Sequence, residues 1–119
     1  MLGADRPDSP EEENANVLKR MAEDGDDLTK ARDIDFNHLF VSEKDAATFE
    51  AAVREQGYPK VVRDFWPEQN AWLTAVYVRM VPDLDEITAI EKTLDEIAIP
   101  LYGKPDGWGC MEEVKGGSR

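Results

Sequence analysis

The residues of this chain best suited to chemistry are its single histidine, His38, and its single cysteine, Cys110. A structural zinc site needs four ligands, so this pair cannot build one, and we expect neither a metal nor a cofactor. The sequence also lacks the glycine-rich phosphate loop and the G-x-S-x-G nucleophile motif. A hydrogen-bonded core histidine and an inert buried thiol are the commoner fates of such residues. The residues therefore favour a protein that is not an enzyme.

The second feature is a tryptophan held between two glycines, in the segment from Asp106 to Cys110. Glycine weakens a strand, so Gly107 and Gly109 indicate unusual dihedral angles or a close backbone approach there. Asp-Gly is also a turn signal, which predicts a tight entry into a short last strand. Two interpretations stay open: Trp108 is a core residue of a bulged edge strand, or it shapes a contact surface for a partner.

Charge narrows the class of partner. The chain has 26 acidic and 14 basic residues, a formal net charge of −12. Nucleic-acid binding depends on Lys and Arg that neutralise phosphates, so we expect no direct contact with RNA or DNA. The same charge favours a basic protein segment as partner. The candidate docking residues are Trp108 and the N-terminal acids Glu11, Glu12, Glu13, Asp24, Asp26 and Asp27.

Localisation is predicted from what the sequence lacks. A lone cysteine forms no internal disulfide, which fits a reducing compartment. No apolar run approaches the about 20 residues that span a bilayer, and residues 1–13 have no apolar signal core. We therefore expect a cytoplasmic protein without membrane contact.

Hydrophobic periodicity and capping residues divide the chain into seven elements. Ser9, Ser42 and Asp83 are the predicted N-caps of three helices, which end near Gly25, Gly57 and Pro100. The predicted strands are Asp33 to Val41, Lys60 to Trp66, Ala71 to Val81 and Gly107 to Val114.

The order of these elements, a helix followed by β-α-β-β-α-β, predicts an α+β fold of the ferredoxin-like type. In that fold two helices cover one face of a four-stranded antiparallel sheet. We expect one regulatory domain over residues 9–114, with a flexible N-terminus (1–8) and a flexible tail (115–119). The additional N-terminal helix is expected to cover part of the other sheet face. An uncovered face could instead support a weak homodimer, so monomer and weak homodimer stay open.

Three segments resemble the bacterial family of the regulator of ribonuclease E activity B. They are Glu23-Asp24-Gly25-Asp26-Asp27 after an amphipathic helix, Ile34-Asp35-Phe36-Asn37-His38-Leu39-Phe40 with the later pair Gly57-Tyr58, and Asp106-Gly107-Trp108-Gly109. The likeness covers roughly residues 10–112 in the same order.

This resemblance implies a cytoplasmic, non-catalytic inhibitor with a ferredoxin-like fold. Members of that family bind the arginine-rich C-terminal scaffold of ribonuclease E, reduce RNA cleavage and alter the composition of the degradosome. An acidic chain suits such a basic partner. The alternative is a small-molecule-binding or enzymatic domain with a pocket around His38 and Trp108.

Overall fold

The computed structural model of the protein describes residues 10–110, which form three helices and one four-stranded sheet. The helices are α1 (Pro10–Glu23), α2 (Glu43–Glu55) and α3 (Leu84–Ala98), and the strands are β1 (Arg32–Phe40), β2 (Val61–Trp66), β3 (Ala71–Met80) and β4 (Lys104–Cys110). The predicted flexible ends, the predicted cap Ser9 and the predicted strand beyond Cys110 lie outside the described residues.

The strands form one antiparallel sheet in the order β2-β3-β1-β4. This confirms the predicted α+β class, the four-stranded antiparallel sheet and the helix that precedes it. The alternation of β1 is regular, because Ile34, Phe36, His38 and Phe40 are buried while the residues between them are only partly buried. One face of the sheet is therefore packed and the other is not.

The helix boundaries follow from local capping chemistry. The Ser42 side chain accepts a hydrogen bond from the Asp45 amide, and the Asp83 side chain accepts one from the Glu86 amide. Helix α2 ends before Gly57, whose φ of +101° is available to glycine without strain. These caps and this end confirm the sequence interpretation.

The hydrophobic core lies between the sheet and the two internal helices. Helix α2 buries Ala46, Phe49 and Val53, and α3 buries Ile87, Leu94 and Ala98. They pack on the buried side chains of the strands, namely Ile34, Phe36, Phe40, Val61 and Val76. This core fixes the positions of α3 and β4, between which α1 is held.

Helix α1 does not cover the second face of the sheet, so the expectation that it would cover part of that face is wrong. It packs beside α3 on the packed face, where Asn14 hydrogen-bonds Thr88 and Glu91 of α3 and Trp108 of β4. The apolar stripe of α1 is narrow, so a site beside another helix buries it adequately. The second face stays open within residues 10–110.

Strand β4 begins at Lys104, three residues before the predicted start at Gly107. The pairing shifts by one residue between Phe36↔Trp108 and His38↔Pro105, so Asp106 and Gly107 form a bulge inside the strand rather than a turn before it. Gly107 has a φ of +81°, which explains one glycine of the pair. Nothing in the structure requires the other, because an added Cβ at Gly109 would meet Asp35 at an ordinary 3.6 Å.

Among the described residues, none of the helices is both long and apolar enough to cross a membrane.

Candidate functional site

A groove runs between α1 and α3 and ends at Trp108 of β4; we call it the α1–α3 groove. Its inner cavity, about 440 Å³, is lined by Glu13, Asn14, Val17, Glu91, Asp95, Pro105, Gly107 and Trp108. An outer cavity of about 410 Å³ adjoins it through Glu91 and Asp95, and is lined further by Glu11, Thr88, Lys92, Glu96 and Ile99. The lining of the groove combines apolar side chains, such as Val17 and Ile99, with carboxylates.

Asn14 joins the three elements that form the groove, α1, α3 and β4, through side-chain hydrogen bonds. Its side chain is only 3% exposed and lies between all three walls. Its Nδ2 donates to Thr88 Oγ1 at 3.1 Å and to Glu91 Oε1 at 2.9 Å. Its Oδ1 accepts from Trp108 Nε1 at 2.8 Å. One amide thus satisfies the indole N–H and holds α1 against α3.

The groove has a strongly negative potential. Five acids line it, whereas Lys92 is the basic side chain that lines it within residues 10–110. Burial, followed by the charges of Asp95 and Glu13, raises the pKa of Glu91, although its hydrogen bond from Asn14 opposes this shift. The last turn of α3 carries no basic residue, so the negative end of the helix dipole adds to these charges. A cation is the ligand that this potential favours.

His38 lies below the groove and does not line it. Its Nε2 is 2.7 Å from Asp95 Oδ1, its ring is tilted against Phe49, and it is 2% exposed. Burial lowers the pKa of His38 despite the opposing hydrogen bond and charge of Asp95. We assign the neutral ring with Nε2–H donating, because Nδ1 has no hydrogen-bond partner among the described residues. His38 is therefore a positioning residue for Asp95.

Cys110 is also unsuited to covalent chemistry. Burial raises the pKa of its thiol, and the hydrogen bond and charge of Arg32 oppose that shift without reversing it. A thiol with a raised pKa supplies little thiolate at neutral pH. No group of three or more metal-ligating side chains occurs in the described part of the chain.

The structure separates the predicted docking residues into three groups. Trp108, Glu11 and Glu13 line the groove. Glu12 and Asp24 are exposed elsewhere on α1 and in the turn after it. Asp27 accepts hydrogen bonds from the Thr29 amide and hydroxyl.

Asp26 is not a surface residue, so its predicted docking role is wrong. It is 1% exposed, and its carboxylate accepts two hydrogen bonds of 2.9 Å from Arg32 Nη1. An acid in an Asp-Gly-Asp-Asp turn suggests a solvated charge, but Arg32 reaches back into that turn from β1. Its role is structural.

Three groove residues were missed at the sequence level: Asn14, Glu91 and Asp95. Asn14 precedes the apolar residues Val17 and Leu18 of α1 by three and four positions, and this helical spacing was the available signal. The two acids lie on the polar side of α3, where they resemble ordinary solvated charges. Their function depends on α1, which is remote in sequence.

A comparison with protein families matches the family described as "Regulator of ribonuclease activity B" over residues 11–110. A search among curated proteins found no match. The matched range covers the described elements except Pro10, the first residue of α1, and ends with β4, so it contains both the groove and the glycine-flanked tryptophan. The chain belongs to the family of regulator of ribonuclease activity B.

Proposed function

We propose that this protein is a non-catalytic, cytoplasmic regulator that binds a basic segment of ribonuclease E, in its C-terminal scaffold, through the α1–α3 groove. Binding there would reduce RNA cleavage and change the composition of the degradosome. The strand order β2-β3-β1-β4 with two crossing helices supports a ferredoxin-like fold for this regulator. The family supports a ribonuclease as the target, and the groove supports a basic segment as the element bound.

The observation that carries this proposal is the five carboxylates around one apolar groove. Lys and Arg side chains have apolar stems and cationic ends, so both parts find complementary surface there. The ring of Trp108 adds a wall on which a cation can stack. The same negative charge opposes phosphate backbones, which supports regulation through protein contact rather than through RNA binding.

A pocket for a small molecule around His38 and Trp108 has less support. The inner cavity includes Trp108 but not His38, and the imidazole is covered by Asp95 and Phe49. No described nucleophile with a lowered pKa faces the cavity. The groove geometry therefore supports protein binding rather than an enzymatic pocket.

The test is a titration of ribonuclease E with the full chain at 50 and 500 mM salt. We expect binding that weakens at high salt, because attraction between exposed charges decays within about 10 Å at 0.1 M salt. Glu13→Gln with Glu96→Gln should weaken binding about tenfold at low salt. The matched control, Glu55→Gln with Glu68→Gln, makes the same change in net charge at exposed positions outside the groove. Equal effects of the two double variants would refute the groove as the binding surface.

A further inference from the structure

The sheet has a second face that no described element covers; we call it the open sheet face. Strand pairing places on it the residues that alternate with the buried ones, for example Asp35 and Leu39 of β1 and Leu73 and Ala75 of β3. Helices α2 and α3 pack on the opposite face, and α1 packs on α3. Within residues 10–110 no helix packs on this face.

One end of the open sheet face is apolar. Val62 is 50% exposed and Trp66 is 37% exposed, and both belong to the edge strand β2. The pairs Val62↔Ala75, Trp66↔Ala71 and Leu73↔Leu39 place apolar residues on three strands of this face, with the charged Asp64 between Val62 and Trp66 on β2. Ala71 and Ala75 are each only 7% exposed, so Val62 and Trp66 supply most of the exposed apolar surface of β2. We call the six residues of these pairs the apolar patch. Exposed apolar side chains grouped on one sheet face mark an interaction site more often than scattered ones do.

The open sheet face also carries charged residues of both signs. Asp33 lies 3.2 Å from Lys60 Nζ and 3.7 Å from Arg79 Nη1. The register assigns three acids (Asp33, Asp35, Asp64) and two bases (Arg79, Lys104) to this face. Lys60, which precedes β2, adds a third base through its ion pair with Asp33. Asp64 and Lys104 lie beside the apolar patch, opposite Leu73 and Leu39. The formal sum of these acids and bases is zero in a chain whose net charge is −12. A basic partner therefore finds no excess of negative charge here.

We propose that the open sheet face binds a second copy of this chain, sheet against sheet. A face with equal numbers of both charges and an apolar patch is complementary to itself, whereas the rest of this acidic surface would repel a copy. Stacked sheets lie about 10 Å apart, and each helix layer adds about 10 Å more. The acidic grooves of the two copies are thus roughly 30 Å apart, several times the screening length of about 8 Å.

The size of the face sets the strength of this dimer. The strands have 9, 6, 10 and 7 residues. At about 3.4 Å per residue and about 4.8 Å between strands, the face measures roughly 27 by 19 Å. Each copy would bury about 500 Å², so the total of about 1,000 Å² lies at the lower limit for specific interfaces. We expect dissociation in the micromolar range.

The dimer places its two α1–α3 grooves on opposite outer surfaces. If the grooves bind ribonuclease as proposed above, one dimer engages two basic segments, and linkage of the two sites strengthens binding to a target that presents both. This consequence rests on the proposed function, whereas the dimer itself does not.

Sedimentation equilibrium of the full chain, without ribonuclease, tests the dimer. The average mass should rise from 13.4 kDa toward twice that value between about 5 and 500 μM, and it should not fall when salt is raised. Val62→Glu should weaken association at least tenfold. The control Phe65→Glu makes the same kind of change in the same strand, at a residue that is 41% exposed on the helix side of the sheet, and should leave association unchanged.

Two results would overturn the proposal. One is a monomer at 500 μM, and the other is an equal effect of Val62→Glu and Phe65→Glu on the mass. A monomer whose Val62→Glu variant also loses ribonuclease binding would assign the open sheet face to the partner instead. If groove variants lose ribonuclease binding but still form the dimer, the result supports the groove as the ribonuclease site and the dimer proposal stands.

Discussion

The hydrogen bond between Trp108 and Asn14 should be a measurable coupling that holds α1 in place. Trp108→Phe removes the indole N–H donor, so Asn14 Oδ1 loses this hydrogen bond. Asn14 is only 3% exposed, so water cannot readily replace the lost donor. An unpaired buried acceptor costs about 1–3 kcal/mol, so we expect a loss of about 2 kcal/mol in the free energy of unfolding. Asn14→Ala removes all three hydrogen bonds of the amide and should cost about 2–3 kcal/mol.

The double variant decides whether these losses share one cause. In the double variant neither group of this hydrogen bond is left without its partner. The loss in the free energy of unfolding should therefore be about 1–2 kcal/mol smaller than the sum of the two single losses. Denaturant unfolding of the four proteins in the cycle measures this difference, and each kcal/mol corresponds to about 4 °C in melting temperature for a chain of this size. Trp108→Phe combined with Gln69→Ala, in the exposed turn between β2 and β3 on the far side of the sheet from β4, is the additive control. A coupling below about 0.5 kcal/mol between Trp108 and Asn14 would refute the contact.

Four further substitutions test the structural roles assigned above. Burial lowers the pKa of His38 below 6.5, so the unfolded chain binds the proton first and stability falls as the pH drops through that value. In the His38→Gln variant, the part of this stability loss that His38 causes should be absent. Denaturant titrations between pH 7.5 and 5.5 measure it. Asp26→Asn leaves a buried arginine without its counter-charge and should cost about 3–5 kcal/mol without changing ribonuclease binding at temperatures where the variant is folded. Gly107→Ala should cost about 1–2 kcal/mol because of its positive φ, whereas Gly109→Ala should change the melting temperature little.

The parts of the fold that follow from local chemistry could be predicted from the sequence. The Ser42 and Asp83 caps depend on residues three positions apart, and the β1 alternation depends on neighbours. The position of α1 could not be predicted, because it depends on contacts between Asn14 and residues 74 to 94 positions away. The expectation that α1 covers the open sheet face failed for this reason.

The candidate site could likewise be predicted only in part from the sequence. Trp108, Glu11 and Glu13 were predicted as partner contacts and lie in the groove, although their binding role stays a prediction. Asp26 was misjudged because its partner Arg32 comes from the next element and buries it. The early start of β4 was missed because Pro105 and Gly107 oppose a regular strand, and only an edge position with a bulge accommodates them.

The most direct test of the groove uses the three tryptophans, since each reports on a different surface. Trp108 lies in the α1–α3 groove, Trp66 on the open sheet face, and Trp72 packs against Phe65 on the helix side of the sheet. Indole ¹⁵N–¹H signals of the full chain, at constant concentration, are recorded while a C-terminal fragment of ribonuclease E is added. The proposal predicts that the Trp108 signal shifts or broadens while those of Trp66 and Trp72 stay in place. A shift of Trp66 with Trp108 unchanged would contradict it.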